Sequence, residues 1–348
     1  MIAMPAHPHP LKFLVPGWYA IVMGLCGLSL AWYRAAPMMG DGAAGASIAI
    51  AGLAALVFVV LALATVLRGQ RHPEAWAEDR KHPVRHTFIA ALPVAGILLA
   101  TTAVAHGLRG PFVEAFWWLA CVGQLFVTAW VLGRWWRGNG AGALQWAGLT
   151  PALFIPVVGN VLVPLAGVPL GRPEWAAAQF GIGLMFWPIV ATLILVRVAT
   201  QGLWPERLLP TIFIFIAPPA VVGLSALQLG APPLIGWMCW GMALFSALWC
   251  ATQAKRIAAL PFGLPHWGMS FPLAALAALT LRLAGLNAPG AAPGGAATDF
   301  GPVGLLGLAL LALASLLIAA LLLGTLRGLR DGSLLAPEPV APIVPAAA

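Results

Sequence analysis

The sequence predicts an all-α polytopic membrane protein, with ten transmembrane helices arranged as five helical hairpins around a central pore. Of its 348 residues, 61% are hydrophobic and 8% are charged, and its mean hydropathy is +0.94. Soluble domains carry about 25% charged residues, so this composition indicates a protein of the lipid bilayer. The number of apolar stretches and the spacing of prolines among them predict the hairpins.

Ten stretches of about 20 residues with few charges are each long enough to cross the hydrocarbon core as a helix. In chain order they are 13–33, 44–66, 86–106, 113–133, 148–168, 175–198, 209–228, 233–253, 264–284 and 302–326. Together they define one transmembrane domain over residues 13–326. Residues 1–12 are expected to form a cytoplasmic N-terminal tail, and the Pro- and Ala-rich end of the chain, 327–348, a disordered cytoplasmic tail.

Basic residues predict the orientation of the chain, because short loops rich in Lys and Arg stay in the cytoplasm. Of the 18 Lys and Arg residues, the four that fall on the side opposite the N-terminus are Arg34, Arg109, Arg172 and Arg282. Both termini are therefore expected in the cytoplasm, with the chain in a bacterial inner (plasma) membrane. The same bias accounts for most of the net charge of +8, so a nucleic-acid partner is not needed to explain it.

Prolines occur inside or at the start of the first, third, fifth, seventh and ninth spans. They are Pro16, Pro93, Pro156, the pair Pro218 and Pro219, and Pro272. Proline lacks a backbone N–H and kinks a helix, and the carbonyl that it frees must be satisfied by protein or water inside a membrane. We therefore expect these five parallel spans to be kinked and to surround a water-accessible path. The even spans, rich in Leu and Ala, are expected to form an outer layer against lipid.

The interiors of the predicted spans carry no obvious ionisable group. All ten Asp and Glu residues fall in loops, at span ends or in the tails, which excludes a negatively charged pore wall. The four cysteines lie within spans without metal-binding spacing, so neither a metal site nor a disulfide is expected. No nucleophile, metal set or pair of acids converges at one depth, so neither an enzyme nor a bound cofactor is expected.

Polar residues of the odd spans are candidates for the lining of the path. The foremost are Asn160, Ser270, Thr101 and Ser225, although hydroxyl groups in membrane helices also bond to the preceding turn or to a neighbouring helix. Phe271, immediately before the last of the prolines, has the size to close a narrow path. From spacing alone, packing against lipid or another helix is the commoner role of such a phenylalanine.

The odd spans resemble those of the tellurite-resistance/dicarboxylate transporter family, which includes TehA-like proteins and the slow-type anion channels. The resemblance covers residues 12–326 and rests on FLVPGWYAIVMGLCGLSLAW, HPVRHTFIAALP, TPALFIPVVGNVLVP, LPTIFIFIAPPAVVGL and PFGLPHWGMSFPLAALA. It implies a ten-helix fold of five hairpins, assembled as a homotrimer with one pore in each subunit. In that family a phenylalanine next to the proline of the ninth span blocks the pore, and Phe271 matches it here.

Together these features predict a passive, gated conduit for small anions such as chloride, nitrate, sulfite or tellurite. An inside-negative potential favours anion exit by about 2.3 kcal/mol per charge per 100 mV, so opening would produce efflux. The alternative is a proton-coupled secondary transporter of C4-dicarboxylates (malate-like) or oxyanions. The absence of a carboxylate at mid-membrane depth argues against that alternative.

Overall fold

The structure is a computed structural model that describes residues 10–138, 143–286 and 301–337. These residues form α-helices joined by short 3-10 helices, with no β-strand among them. In chain order the α-helices are α1 (Ala20–Met39), α2 (Asp41–Arg71), α3 (Pro73–Lys81), α4 (Ala91–Ala105), α5 (Pro111–Leu132), α6 (Phe154–Val158), α7 (Pro164–Gly167), α8 (Pro173–Gln201), α9 (Ala217–Gln228), α10 (Pro233–Ala251), α11 (Ala254–Ala258), α12 (Ser270–Leu286) and α13 (Gly301–Arg330).

Nine helical segments within the described residues are long and apolar enough to cross a membrane. They confirm an all-helical polytopic membrane protein and correct the predicted count of ten long helices. The fifth predicted span is instead a short apolar segment, Pro151–Gly167, broken into pieces that include α6 and α7. It contains Pro151, Pro156 and Pro164. Each proline removes a backbone donor, so no regular helix extends across the segment.

The helices form two layers. In the four unbroken segments that contain α1, α4, α9 and α12, between 67% and 89% of the most apolar stretch is buried. In the segments that contain α2, α5, α8, α10 and α13, that share is between 11% and 39%. The odd spans therefore make the inner layer. The even spans present apolar side chains outward, where only lipid is a suitable solvent.

The five inner segments close into a ring in chain order. Helix α1 packs on α4, α4 on α6 and α7, α7 on α9, α9 on α12, and α12 returns to α1. Each outer helix packs on the inner segment that precedes it: α2 on α1, α5 on α4, α8 on α6 and α7, α10 on α9, and α13 on α12. These contacts are the five hairpins that the sequence predicts.

The unbroken inner segments begin in 3-10 helix and continue in α-helix. The 3-10 stretches that run directly into α1, α4, α9 and α12 are Pro16–Tyr19, Arg85–Ala90, Glu206–Ile216 and Leu264–Met269. Runs of 3-10 helix longer than three or four residues are uncommon, and such runs often mark a hinge. The 11 residues of Glu206–Ile216 are the longest of these four runs.

Four of the predicted kink prolines lie at these changes of helix type. Pro93, Pro219 and Pro272 are each the third residue of their α-helix, and Pro218 is the second residue of α9. The N–H groups in the first turn of a helix have no intrahelical partner, so a proline costs least there. The first turn is therefore where a proline can bend an inner segment without destroying it.

Three prolines depart from the expected pattern. Pro16 opens the first 3-10 stretch and lies before α1 begins, so it does not kink that helix. Pro156 lies in a segment that is broken rather than kinked. Pro188 lies inside the outer helix α8, so prolines are not confined to the inner layer.

The inner segments begin at one end of the bundle, which we call the basic side because α2 and α13 finish there with Arg68 and Arg327 in their last turns. Helix α3 folds against this side. Arg68 Nη1 donates to Asp79 Oδ2 at 2.7 Å with both side chains buried, and Arg68 Nε donates to the Lys12 carbonyl. Arg85 lies 3.6 Å from the other carboxylate oxygen. Through Lys12 and Arg85, the buried ion pair of Arg68 and Asp79 therefore links the start of the first span to the start of the third.

The predicted domain ends shift by a few residues. Pro10–Phe13 forms a 3-10 helix within the expected N-terminal tail. Helix α13 continues past the expected end at 326, and the Leu334 N–H then donates to the Gly328 carbonyl at 3.2 Å. The rest of the two expected tails, 1–9 and 338–348, lies outside the described residues.

Candidate pore site

A small cavity lies at the centre of the ring, and all five inner segments line it. Its wall includes Met23 of α1, Val94 of α4, Val158 of α6, Val221 of α9 and Phe271 of α12. The cavity offers about 60 Å³ of space, which is enough for a few water molecules. The ring therefore encloses a central space, and that space is narrow and apolar.

The cavity lies where the inner segments change from 3-10 helix to α-helix. Ile214 reaches it from a 3-10 stretch, while Pro218 and Pro272 reach it from the first turns of α9 and α12. Two of the predicted kink prolines therefore face the centre of the protein. Pro93 points elsewhere, toward Gly123 of the outer helix α5.

Phe271 lies on the cavity with 9% of its surface exposed. Its ring is seated on Gly27 of α1, where an added β-carbon would lie 2.9 Å from the ring. One turn earlier, a β-carbon on Gly24 would overlap the hydroxyl of Ser270. These two glycines therefore allow α1 and α12 to pack closely, as small residues do between membrane helices.

The hydroxyl groups expected to line the path do not line this cavity. Thr101 Oγ1 donates to the Ile97 carbonyl at 2.8 Å, and Ser270 Oγ donates to the Trp267 carbonyl at 2.7 Å. Ser225 is buried, and its hydroxyl has no hydrogen-bond partner within the described residues. Thr101 and Ser270 are satisfied by their own segments, which is a common arrangement in membrane helices. The expected polar lining is therefore replaced by an apolar one in this conformation.

Asn160 turns away from the cavity, toward the outer helices α5 and α8. Its Nδ2 donates to Thr128 Oγ1 at 2.9 Å, and its Oδ1 accepts from Gln179 Nε2 at 3.0 Å. Gln124 Nε2 and Thr128 Oγ1 both donate to the carbonyl of Pro156, at 2.8 and 2.6 Å. We call Gln124, Thr128, Asn160 and Gln179 the amide clamp. It holds the fifth inner segment to the outer layer.

The amide clamp supplies the hydrogen bonds that the broken fifth segment lacks. Helix α6 ends at Val158, and the next turn, Gly159–Leu162, is 3-10 helix. A change of backbone pairing leaves a carbonyl without a regular donor, and inside a membrane the protein must provide one. Three of the four clamp residues lie in outer spans, where the sequence predicted only lipid contact. The sequence signal that could have found this cluster is a glutamine inside an otherwise apolar span, which occurs at 124 and at 179.

The electrostatics of the site come from helix ends and not from side chains on the wall. No Asp, Glu, Lys or Arg is among the residues that line the cavity. The inner segments point their N-terminal ends, the positive ends of their dipoles, toward the basic side. Within the described ranges no three His, Cys, Asp or Glu side chains come together to hold a metal ion. The arrangement attracts an anion and offers it no strong ligand.

A polytopic bundle whose five parallel inner segments enclose a narrow central space is typical of a membrane channel or transporter. The family described as voltage-dependent anion channel, SLAC1, matches residues 14–326, which is nearly all of the bundle. The chain therefore belongs to this family of anion channels and transporters. The match confirms the resemblance inferred from the odd spans.

The relatives of this chain are distant in sequence. A tellurite resistance protein TehA homolog of Haemophilus influenzae is 23% identical over 279 residues, which are 78% of this chain and 80% of the relative. An uncharacterised transporter of Methanocaldococcus jannaschii is 25% identical over 295 residues, 77% of this chain and 83% of the relative.

Plant relatives match over a shorter part of their length. The S-type anion channel SLAH2 of Arabidopsis thaliana is 25% identical over 210 residues, which are 60% of this chain and 40% of SLAH2. The match to S-type anion channel SLAH3 of the same plant spans 36% of that relative. The chain therefore matches less than half the length of these two plant channels.

Proposed function

We propose that this chain is a passive, gated channel for small anions, and that Phe271 is its gate. The observation that carries the proposal is the place of Phe271, whose ring lies on the central cavity where all five inner segments meet. An aromatic ring at a constriction fills volume and excludes water, which raises the barrier to an ion. Turning the ring away would free the space that it fills.

Two electrostatic features support anions as the permeant species. The parallel dipoles of the inner segments place positive potential at the basic side, and the cavity wall carries no carboxylate to repel an anion. Chloride, nitrate, sulfite and tellurite are the candidate ions. The names of the relatives, anion channels and a tellurite resistance protein, are consistent with these ions. We propose no enzymatic activity, because the family consists of channels and transporters.

The proposed setting is a bacterial inner membrane with the basic side in the cytoplasm. Cytoplasmic loops are enriched in Lys and Arg, which supports this orientation. Both termini would then be cytoplasmic, and an inside-negative potential would drive anions outward through an open gate. A homotrimer with one pore per subunit is proposed from the family resemblance. The exposed apolar faces of the outer helices offer surface for both subunits and lipid.

Replacing Phe271 with alanine tests the gate. In planar bilayers, F271A is expected to carry a several-fold larger anion current than the wild type, because the ring that fills the cavity is gone. Phe126, exposed on the outer helix α5, provides the matched control, and F126A should conduct as the wild type does. An unchanged current in well-folded F271A protein would overturn the gate assignment.

Liposome flux separates a channel from a coupled transporter. A passive channel moves anions down their own gradient at a rate that does not depend on a proton gradient. Saturating uptake of a C4-dicarboxylate that requires a proton gradient would instead establish the proton-coupled alternative. Both assays can be run on the same preparation as the current measurements.

A further inference from the structure

Four arginines occupy the side opposite the basic side, and their surroundings differ. Arg172 is paired with Glu114, with 2.8 Å between Nε and Oε1. Arg109 is exposed. Arg34 and Arg282 are only partly exposed: Arg34 lies within the inner helix α1, past the expected span end at 33, and Arg282 lies within the inner helix α12. Two arginine side chains are therefore part of the inner ring, near the end of the bundle opposite the basic side.

The packing of α1 on α12 brings Arg34 level with Arg282. Both helices start at the basic side and run parallel, and Gly27 of α1 faces Ala274 of α12. Arg34 lies about two helical turns after Gly27 on α1, and Arg282 lies about two helical turns after Ala274 on α12. The register therefore places the two arginines at similar heights on two helices that pack against each other.

The partners of the two arginines leave positive charge without a counter-charge. Arg282 Nη1 donates to Gln228 Oε1 at 2.9 Å, at the C-terminal end of α9. Arg34 lies over the ring of its neighbour Tyr33 at 5.9 Å and makes no hydrogen bond within the described part of the chain. Among those residues, neither guanidinium is paired with a carboxylate. Arg282 is thus held in place by its hydrogen bond to Gln228, and the guanidinium of Arg34 is available to bind a ligand.

We propose that Arg34 and Arg282 form a second anion site, which takes a small oxyanion at the mouth opposite the basic side. Like charges that are partly removed from water repel each other, and a bound anion offsets that repulsion. A guanidinium group presents parallel N–H donors that match the oxygens of an oxyanion, so nitrate-like and sulfate-like ions should bind better than halides. The role of the site in transport rests on the proposed channel function, whereas its binding of anions does not.

Sulfate binding to purified protein tests the site. Thermal unfolding is followed in increasing sodium sulfate, with sodium gluconate at equal ionic strength as the reference, because a ligand of the folded state raises Tm. The wild type should show a saturable rise in Tm that is specific to sulfate. The R34Q variant removes a guanidinium that makes no hydrogen bond to any described residue, and it should raise the apparent dissociation constant roughly tenfold.

The matched control is R109Q, which removes an exposed arginine from the same side. It should bind sulfate as the wild type does, since the nonspecific effect of sulfate on stability is common to all three proteins. An equal sulfate response in R34Q and the wild type would overturn the site.

The outcome is distinguishable from that of the gate test. If F271A conducts strongly while R34Q binds sulfate normally, the second site fails and the channel stands. If F271A gains no current while sulfate binding depends on Arg34, the gate fails and the second site stands.

Discussion

The ninth and fifth spans carry the same sequence signal and fold differently. Each has a proline among apolar residues, Pro272 in one and Pro156 in the other. At Pro272 the chain passes from 3-10 helix into one continuous helix of 17 residues, α12, most of which are buried. At Pro156 the chain divides into α6, a 3-10 turn and α7. No proline follows Pro272 within α12, whereas Pro164 follows Pro156 after eight residues and begins the separate helix α7, so the fifth segment is interrupted a second time.

The two spans are also held in the ring by different forces. Helix α12 is held by close packing, with Phe271 and its neighbours seated on the glycines of α1. The fifth segment is held by the amide clamp, whose side chains donate to a backbone carbonyl. A continuous helix satisfies its own backbone and needs only small residues on its neighbour. A broken segment needs donors from the surrounding protein.

The largest expected effect follows from breaking the amide clamp with Asn160→Leu. The substitution removes the hydrogen bonds that join Asn160 to Thr128 on α5 and to Gln179 on α8, and it places an apolar side chain among buried polar groups, so the free energy of unfolding should fall by about 2–4 kcal/mol. Denaturant unfolding of purified protein measures the loss. Thr101→Val is the matched control, because that hydroxyl bonds only to its own helix, and it should cost under about 1 kcal/mol. Equal losses in the two variants would show that the clamp does not hold the fifth segment.

A smaller effect is expected from crowding the packed span with Gly27→Ala. The added methyl group would lie 2.9 Å from the Phe271 ring, and overpacking of this kind costs about 1–3 kcal/mol. We expect the ring to shift into the cavity and the anion current to fall below that of the wild type. Gly181→Ala on the outer helix α8, where an added methyl meets nothing within 4 Å, should leave the current unchanged and should not lower stability, because alanine is the better helix former.

The double variant G27A/F271A shows whether Gly27 acts through the gate. With no ring left to displace, it should conduct as F271A alone does. A current that falls by the same factor in both backgrounds would mean that Gly27 acts on some other part of the pore.

Sequence patterns predict which segments are inner, and they fail where rotation about a helix axis decides the outcome. The expectation that Phe271 faces the pore came from the family resemblance and not from its spacing. Hydropathy and proline positions are properties of a segment as a whole, so the two layers follow from them. Helix α4 is apolar around its whole circumference, and nothing in its pattern states which way Thr101 faces. The same holds for Asn160, whose direction depends on an acceptor supplied by α5 and a donor supplied by α8. Arg34 was placed outside its span because the expected end at 33 lies six residues before the end of α1 at Met39.

The smallest expected effect comes from removing a hydrogen bond of the packed span with Trp240→Phe. Trp240 Nε1 of α10 donates to Thr280 Oγ1 of α12 at 3.0 Å, and interhelical hydrogen bonds of this kind contribute about 0.6 kcal/mol in membranes. The phenyl ring keeps most of the apolar contact, so the same unfolding assay should register only that small loss. If W240F cost as much as Asn160→Leu, hydrogen bonds would hold both spans alike. The contrast between a packed span and a clamped one would then be wrong, because α12 would depend on its polar contacts as the fifth segment does.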